Sequence, residues 1–237
     1  MSCVLVSDVV INVAGGELQV NTMASTLIAK VSPFRFSRWP VILLCAAVLA
    51  LVAPGAASAV PVSYTFDKQH TEIRFSWDHL GLSRQSGRFT DLDGEVVFDS
   101  EAPETSTINV RIPLKSLNSG VPALDDVLLK TPDYLNIAEY PDILFKSTRI
   151  TMTTAKTANV EGELSLNGVT RPVTLSVVWN FSGEHPLSKI NPVYAGVYAA
   201  GFSARTQILR SDFGITRSIP LVSDEIRITI ETELHRR

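Results

Sequence analysis

Only two cysteines occur among the 237 residues, Cys3 and Cys45, and both lie near the N-terminus. No disulfide framework can hold the rest of the chain together, so a packed core must. Positive charge is scarce as well. The chain has 21 Lys and Arg against 24 Asp and Glu, a formal net charge of −3. No basic cluster alternates with aromatics, which excludes nucleic acid as a partner on electrostatic grounds. The common catalytic frames are missing: there is no His-Glu-x-x-His, no Gly-x-Ser-x-Gly and no phosphate-cradling glycine loop. Helical periodicity is nearly absent, and so are long apolar runs, with one exception.

In that exception, Lys30, Arg35 and Arg38 precede an uncharged stretch from Trp39 to Ala59. Its aliphatic centre, Val41 to Ala53, meets Pro54-Gly55, and the stretch closes on Ala57-Ser58-Ala59. Basic, apolar, then small-x-small is the order of an export signal, and the centre is short of the roughly 20 residues that span a bilayer. Residues 23–59 are therefore read as a signal peptide cleaved after Ala59. Residues 1–22 are read as an upstream start that is not translated, and 60–237 as a periplasmic domain without a stable membrane span. A lipoprotein anchor at Cys45 is set aside because bulky Leu44 precedes it. Both cysteines leave with the signal.

After Val60 the chain alternates. From Thr71 to His79, Thr71, Ile73, Phe75, Trp77 and His79 take one face, and Glu72, Arg74, Ser76 and Asp78 the other. The same period runs through Ile108, Val110 and Ile112, through Val160, Leu164 and Leu166, through Val173, Leu175, Val177 and Trp179, and through Ile226, Ile228 and Ile230. With the less regular runs 88–99 and 142–152, and with 197–206, the total is about eight strands. Asn167-Gly168 predicts a tight hairpin between two of them. A short helix around Asp125 to Lys130, turning Leu124, Val127 and Leu128 inward, breaks a long loop from Ser116 to Tyr140. Phe181 to Tyr194 reads as a second, exposed loop. Eight half-apolar strands with no helix long enough to cover them must bury their faces on one another, as an all-β sandwich or barrel.

Candidates for chemistry are few. His70 and His79, nine apart in what reads as one strand, point to opposite faces and cannot share a metal. His185 and His235 read as solvated. Asp91 to Glu95 resembles a calcium loop only faintly and reads as a turn. Arg210-Ser211-Asp212-Phe213-Gly214 offers either a grip on a polar head group or a turn pinned by an Arg/Asp hydrogen bond.

Several segments carry a family resemblance. They are Asp67-Lys68-Gln69-His70-Thr71, His79-Leu80-Gly81, Gly87-Arg88-Phe89 and Asp93-Gly94-Glu95-Val96, then Tyr140 to Thr148, Gly162 to Val173, Arg210 to Gly214 and Asp224-Glu225-Ile226. In order and spacing these resemble the YceI-like polyisoprenoid-binding proteins over essentially all of Tyr64 to Glu233. The resemblance implies a lipocalin-like antiparallel β-barrel with an isoprenoid lipid or quinone tail in its bore, and no catalytic reaction, catalytic residue or metal. Ile73, Phe75, Trp77, His79, Phe89, Phe98, Leu128, Phe145, Leu164, Trp179 and Phe202 would line that bore. Leu128 stands where many relatives carry a histidine, which puts head-group preference in doubt. Other readings stay open on the residues alone: a filled barrel acting through its surface in a stress response or protein interaction, a lipid hydrolase or isomerase, and a homodimer.

Overall fold

Alternating faces of β-branched and aromatic residues produce eleven strands in one antiparallel sheet. They are β1 Val62–Phe66, β2 Glu72–His79, β3 Ser83–Phe89, β4 Asp93–Phe98, β5 Thr107–Pro113, β6 Leu117–Asn118, β7 Asp142–Thr154, β8 Thr157–Leu166, β9 Val169–Glu184, β10 Tyr198–Leu209 and β11 Glu225–Arg236. One helix, α1, spans Pro122–Lys130. The structure, a computed structural model, describes residues 61–236. The upstream segment and the export signal read in residues 1–59 lie outside the described residues.

Eleven strands make eight staves. Both β1 and β2 lie along β11, with Phe66 opposite Leu234 and Ile73 opposite Ile230. The next stave is β4 beside β1 and β3 beside β2. The third is β5 beside β4 and β6 beside β3. Each of these staves is one strand broken by a short irregular link. From β5 onward β7, β8, β9, β10 and β11 follow in order, and β11 pairing with β1 closes the ring. The result is an eight-stranded, up-and-down antiparallel barrel without free long edges.

The Asn167-Gly168 hairpin joins β8 to β9 as expected, both residues having the positive φ (53° and 75°) of a type I′ turn. Two bulges explain where the alternation is less legible. In β7 the register shifts between Ser147 and Arg149. Ile143 and Phe145 face inward before the shift, and Ile150 and Met152 after it. In β9, Phe181 pairs with Gly201 and Trp179 with Phe202, so Asn180 is the extra residue. The strand thus continues to Glu184, and the expected exposed loop begins only at His185.

The packed core has two parts. One gathers Ile112, Leu114, Leu117, Ile143, Leu166, Phe213 and Ile215; the other gathers Tyr64, Val96, Phe98, Ala200 and Leu234. Phe213, Leu114 and Leu234 are fully enclosed, and each such burial contributes about 2–3 kcal/mol. Elsewhere the inward side chains are less covered. Val173, Leu175 and Val177 of β9 and Ile226, Ile228 and Ile230 of β11 line the interior yet are only half-buried. Val173, Ile226, Ile228 and Ile230 pack against the first cluster and, with Leu175 and Val177, present their remaining surface to an open interior.

Candidate ligand-binding bore

The space they face is a cavity of about 730 Å³, within the size range of small-molecule sites. Its wall is almost wholly apolar, and no Asp or Glu lines it among the described residues. Strand period sets the wall: on β2 the inward set is Ile73, Phe75, Trp77 and His79, continued by Thr71 just before the strand, while Arg74 bonds Glu72 on the outer face at 2.8 Å. The outer surface is charged elsewhere too, as in the bidentate Arg149–Glu161 pair between β7 and β8. Apolar inside and charged outside is the reverse of a lipid-spanning barrel. No helix among the described residues is long and apolar enough to cross a membrane.

All eleven residues expected in the bore lie on its wall. Phe75 stacks on Trp77 with ring centroids 5.7 Å apart and sits 5.3 Å from Phe89. Phe98 meets both Trp179 and Phe202 edge to face at 5.2 Å. The rings of Phe75 and Phe145 reach over glycines of the neighbouring strands. A Cβ at Gly87 would come within 2.6 Å of the Phe75 ring, and one at Gly162 within 2.5 Å of the Phe145 ring. The two glycines let large rings press against the wall instead of filling the lumen. Leu164 lies on β8, and Leu128 reaches the cavity from α1 together with Leu124. Val127, expected inward, points to water at 47% exposure, because the inward face of this short helix runs through positions 124 and 128. The aliphatics of β9 and β11, Ile150 and Met152 also line the bore. Their positions two apart along each strand are the sequence signal that marks them.

Several polar groups of the wall are committed to holding it, though the buried Trp179 indole N–H has no hydrogen-bond partner. Thr71 and Thr232 pair through their hydroxyls at 3.0 Å. The Ser106 hydroxyl accepts the Asp99 N–H at 3.0 Å, and the Thr206 hydroxyl donates to the Thr174 carbonyl at 2.8 Å. Lys156 rests its ammonium over the Trp179 ring, 3.6 Å from the centroid. Buried Arg210 donates to the carbonyls of Ser223, Ile215 and Val222 at 2.9, 3.1 and 3.0 Å. Burial draws its pKa down, and Asp224 opposes that. Asp224 in turn accepts the Ser211 N–H and hydroxyl. The segment is a pinned turn, but not through the expected Arg/Asp hydrogen bond: Arg210 bonds carbonyls, and Asp224 holds Ser211. Where β2 ends, exposed Gln85 and Ser218 join half-buried His79 on the cavity lining.

The other histidines lie outside the bore. His70 precedes β2 in a turn rather than sharing its strand. His185, expected in solvent, is 7% exposed. It stacks on Tyr194 at 3.8 Å and meets His235 edge to face at 5.2 Å. His235, also expected in solvent, sits within β11, its Nδ1 3.9 Å from an Asp67 oxygen. These burials come from tertiary partners that spacing does not reveal. Asp67, His70 and Glu233 bring ligand atoms within 4.8 Å of one another, but Asp67 already accepts the Gln69 N–H and the His70 ring. The calcium-like Asp91 and Asp93 both bind the Lys68 ammonium, at 2.9 and 2.6 Å, Asp91 lying in the link before β4 and Asp93 beginning that strand.

One pH effect follows. The bond to Asp67, then its charge, raises the His70 pKa. Burial pushes the Asp67 carboxyl up, but the His70 and Gln69 bonds together hold it below the usual carboxylate range. A raised histidine pKa adds stability that is complete below the unfolded value of about 6.5 and is lost as pH rises through the folded value. The thermal midpoint of the parent protein should therefore decline relative to that of His70→Asn as pH is raised from about 6 to 8. Parallel profiles for the two proteins would refute the link.

Comparison with known proteins places this geometry. The sequence pattern of the YceI-like domain matches residues 64–234. A UPF0312 protein of Azotobacter vinelandii is 35% identical over 192 residues, covering 80% of this chain and 95% of the relative. Among solved structures, the YceI protein of Campylobacter jejuni superposes with a TM-score of 0.58 at 26% identity, covering 68% of this chain and 90% of that one. A polyisoprenoid binding domain from Saccharophagus degradans superposes at 0.51 with 14% identity, covering 73% and 98%; at that identity the likeness is one of fold.

Proposed function

The chain belongs to the YceI-like domain family, and on that premise we propose that it is a periplasmic binding protein holding a long isoprenoid lipid, a polyprenyl or quinone-type tail, in its bore. The observation that carries this is the half-buried state of inward Val173, Leu175, Val177, Ile226, Ile228 and Ile230. Apolar side chains left facing a void lose dispersion contacts that a lipid tail would restore. Each buried methylene is worth about 0.8 kcal/mol, so a few five-carbon units can outweigh the cost of association. The likeness to a polyisoprenoid binding domain supports the same ligand class. Binding rather than catalysis accounts for an apolar wall in which the hydroxyls of Thr71, Thr232, Ser106 and Thr206 and the Arg210 guanidinium are engaged in hydrogen bonds.

Val177 offers the direct test, because its neighbours across the sheet are Ala158 and Ala204 and the space in front of it is open. Val177→Phe should fold with a loss of no more than about 1.5 kcal/mol and retain less lipid, or lipid of shorter chain, by mass spectrometry of extracts from the native compartment. An unfolded variant, together with a parent protein that never carries or takes up an isoprenoid, would mean that the barrel is solid.

A further inference from the structure

Large apolar side chains project into water beside the bore. Leu82 is 81% exposed, Leu221 64% and Leu80 48%. They belong to two segments joined side by side. His79 bridges to Val222, the Leu80 N–H donates to the Leu221 carbonyl at 2.8 Å, and the Ser223 N–H donates to the Asp78 carbonyl at 2.9 Å. The three leucines therefore form one patch. It lies on the lip of the cavity, since His79, Gln85, Ser218 and Val222, next to the leucines in sequence, are on the cavity lining.

The turn that presents the patch is locally unfavourable. Leu80 and Gly81 have φ of 56° and 69°, and the Leu82 N–H closes the turn on the His79 carbonyl at 2.9 Å. This is the conformation that favours Asn-Gly. A leucine there bears the penalty of the left-handed region while its side chain gains nothing from the fold. Charge points to the partner. Arg84 follows one leucine segment and Arg217 precedes the other. Arg84 and Arg217 pair with the carboxylates of Asp78 and Asp133 at 3.0 and 2.9 Å. Such exposed pairs are weak and open readily to a phosphate.

We propose that this lip docks on the surface of an anionic phospholipid bilayer, the leucines entering the interface and the arginines meeting lipid phosphates. This rests on the lipid-binding reading of the bore and supplies its route: a tail leaving the bilayer enters the cavity beside His79 without crossing water. The occupant is a membrane surface rather than a spanning environment, because the patch is small and the barrel wall behind it is charged.

The test compares the parent protein with a Leu80→Asn, Leu82→Ser, Leu221→Ser triple variant. Asparagine suits the turn, so the fold is retained, as circular dichroism and the melting midpoint would record. The parent should float with phosphatidylglycerol–phosphatidylcholine vesicles, and the variant should bind roughly tenfold or more weakly. Transfer of a fluorescent polyprenol from those vesicles should slow similarly in the variant, while loading of the same polyprenol from detergent should be unchanged. Equal flotation and transfer by both proteins, or no flotation of the parent, overturns the docking proposal and leaves the bore reading standing. Failure of both proteins to load from vesicles and from detergent, with flotation still lost in the variant, overturns the bore reading and leaves the docking standing. Parent self-association that the substitutions abolish, without vesicle binding, assigns the patch to a second copy and overturns the proposal.

Discussion

Gly94→Ala is expected to destabilise the barrel by about 3 kcal/mol or more. Gly94 opposes Val110 in the β4–β5 ladder. Its φ is 152°, and a Cβ there would stand 2.1 Å from the Asn109 carbonyl oxygen and 3.0 Å from the Val110 Cα. Both neighbours are backbone, so relief requires the strands to part. Gly201→Ala is the matched control: its Cβ would meet nothing closer than 3.9 Å, and it should stay within about 1 kcal/mol of the parent. Urea unfolding decides it, with a lower midpoint at unchanged slope for Gly94→Ala. A midpoint equal to that of the control would show that the ladder yields more easily than its geometry indicates.

Arg210→Ala should cost a similar amount, about 3 kcal/mol or more, because it strands three carbonyls that one guanidinium satisfies. Arg210→Lys should recover little, since an ammonium lacks the planar fork that reaches divergent acceptors. The damage should concentrate in residues 214–223, so amide hydrogen exchange should accelerate there before it does in β8 or β9. Uniform acceleration across the barrel, or no change in stability, would remove Arg210 from this role.

Much of this architecture was legible in the sequence. The alternation from Thr71 to His79 fixed which side of β2 faces inward, and Asn167-Gly168 fixed the β8–β9 hairpin, because period two and paired positive φ are local properties. The bore-facing aromatics were legible for the same reason. What could not be read was the result of bulges and distant partners. The shift between Ser147 and Arg149 moves the inward set of β7 from Phe145 to Ile150, and the extra Asn180 hides the last turn of the β9 pattern. His185 reads as a loop histidine until Tyr194 and His235 fold over it. The hollow interior was not legible either. Val177 looks the same whether it meets a side chain or a void, and only the half-burial of β9 and β11 separates the two.

The closing of the ring by β11 bears on how the chain acquires its shape. That strand lies along both β1 and β2, and the Thr65 hydroxyl bonds the His235 carbonyl across 170 positions of sequence. A growing chain can zip its hairpins in order from β7 to β10 as each emerges, since those contacts are between neighbours. Until residues 225–236 have been made, β10 and the first stave both present unpaired edges, and the apolar interior stands open as a curled sheet. Ring closure is then a single late step with a high loop-closure cost. A nascent chain must be kept from pairing those edges with another copy until that step is complete.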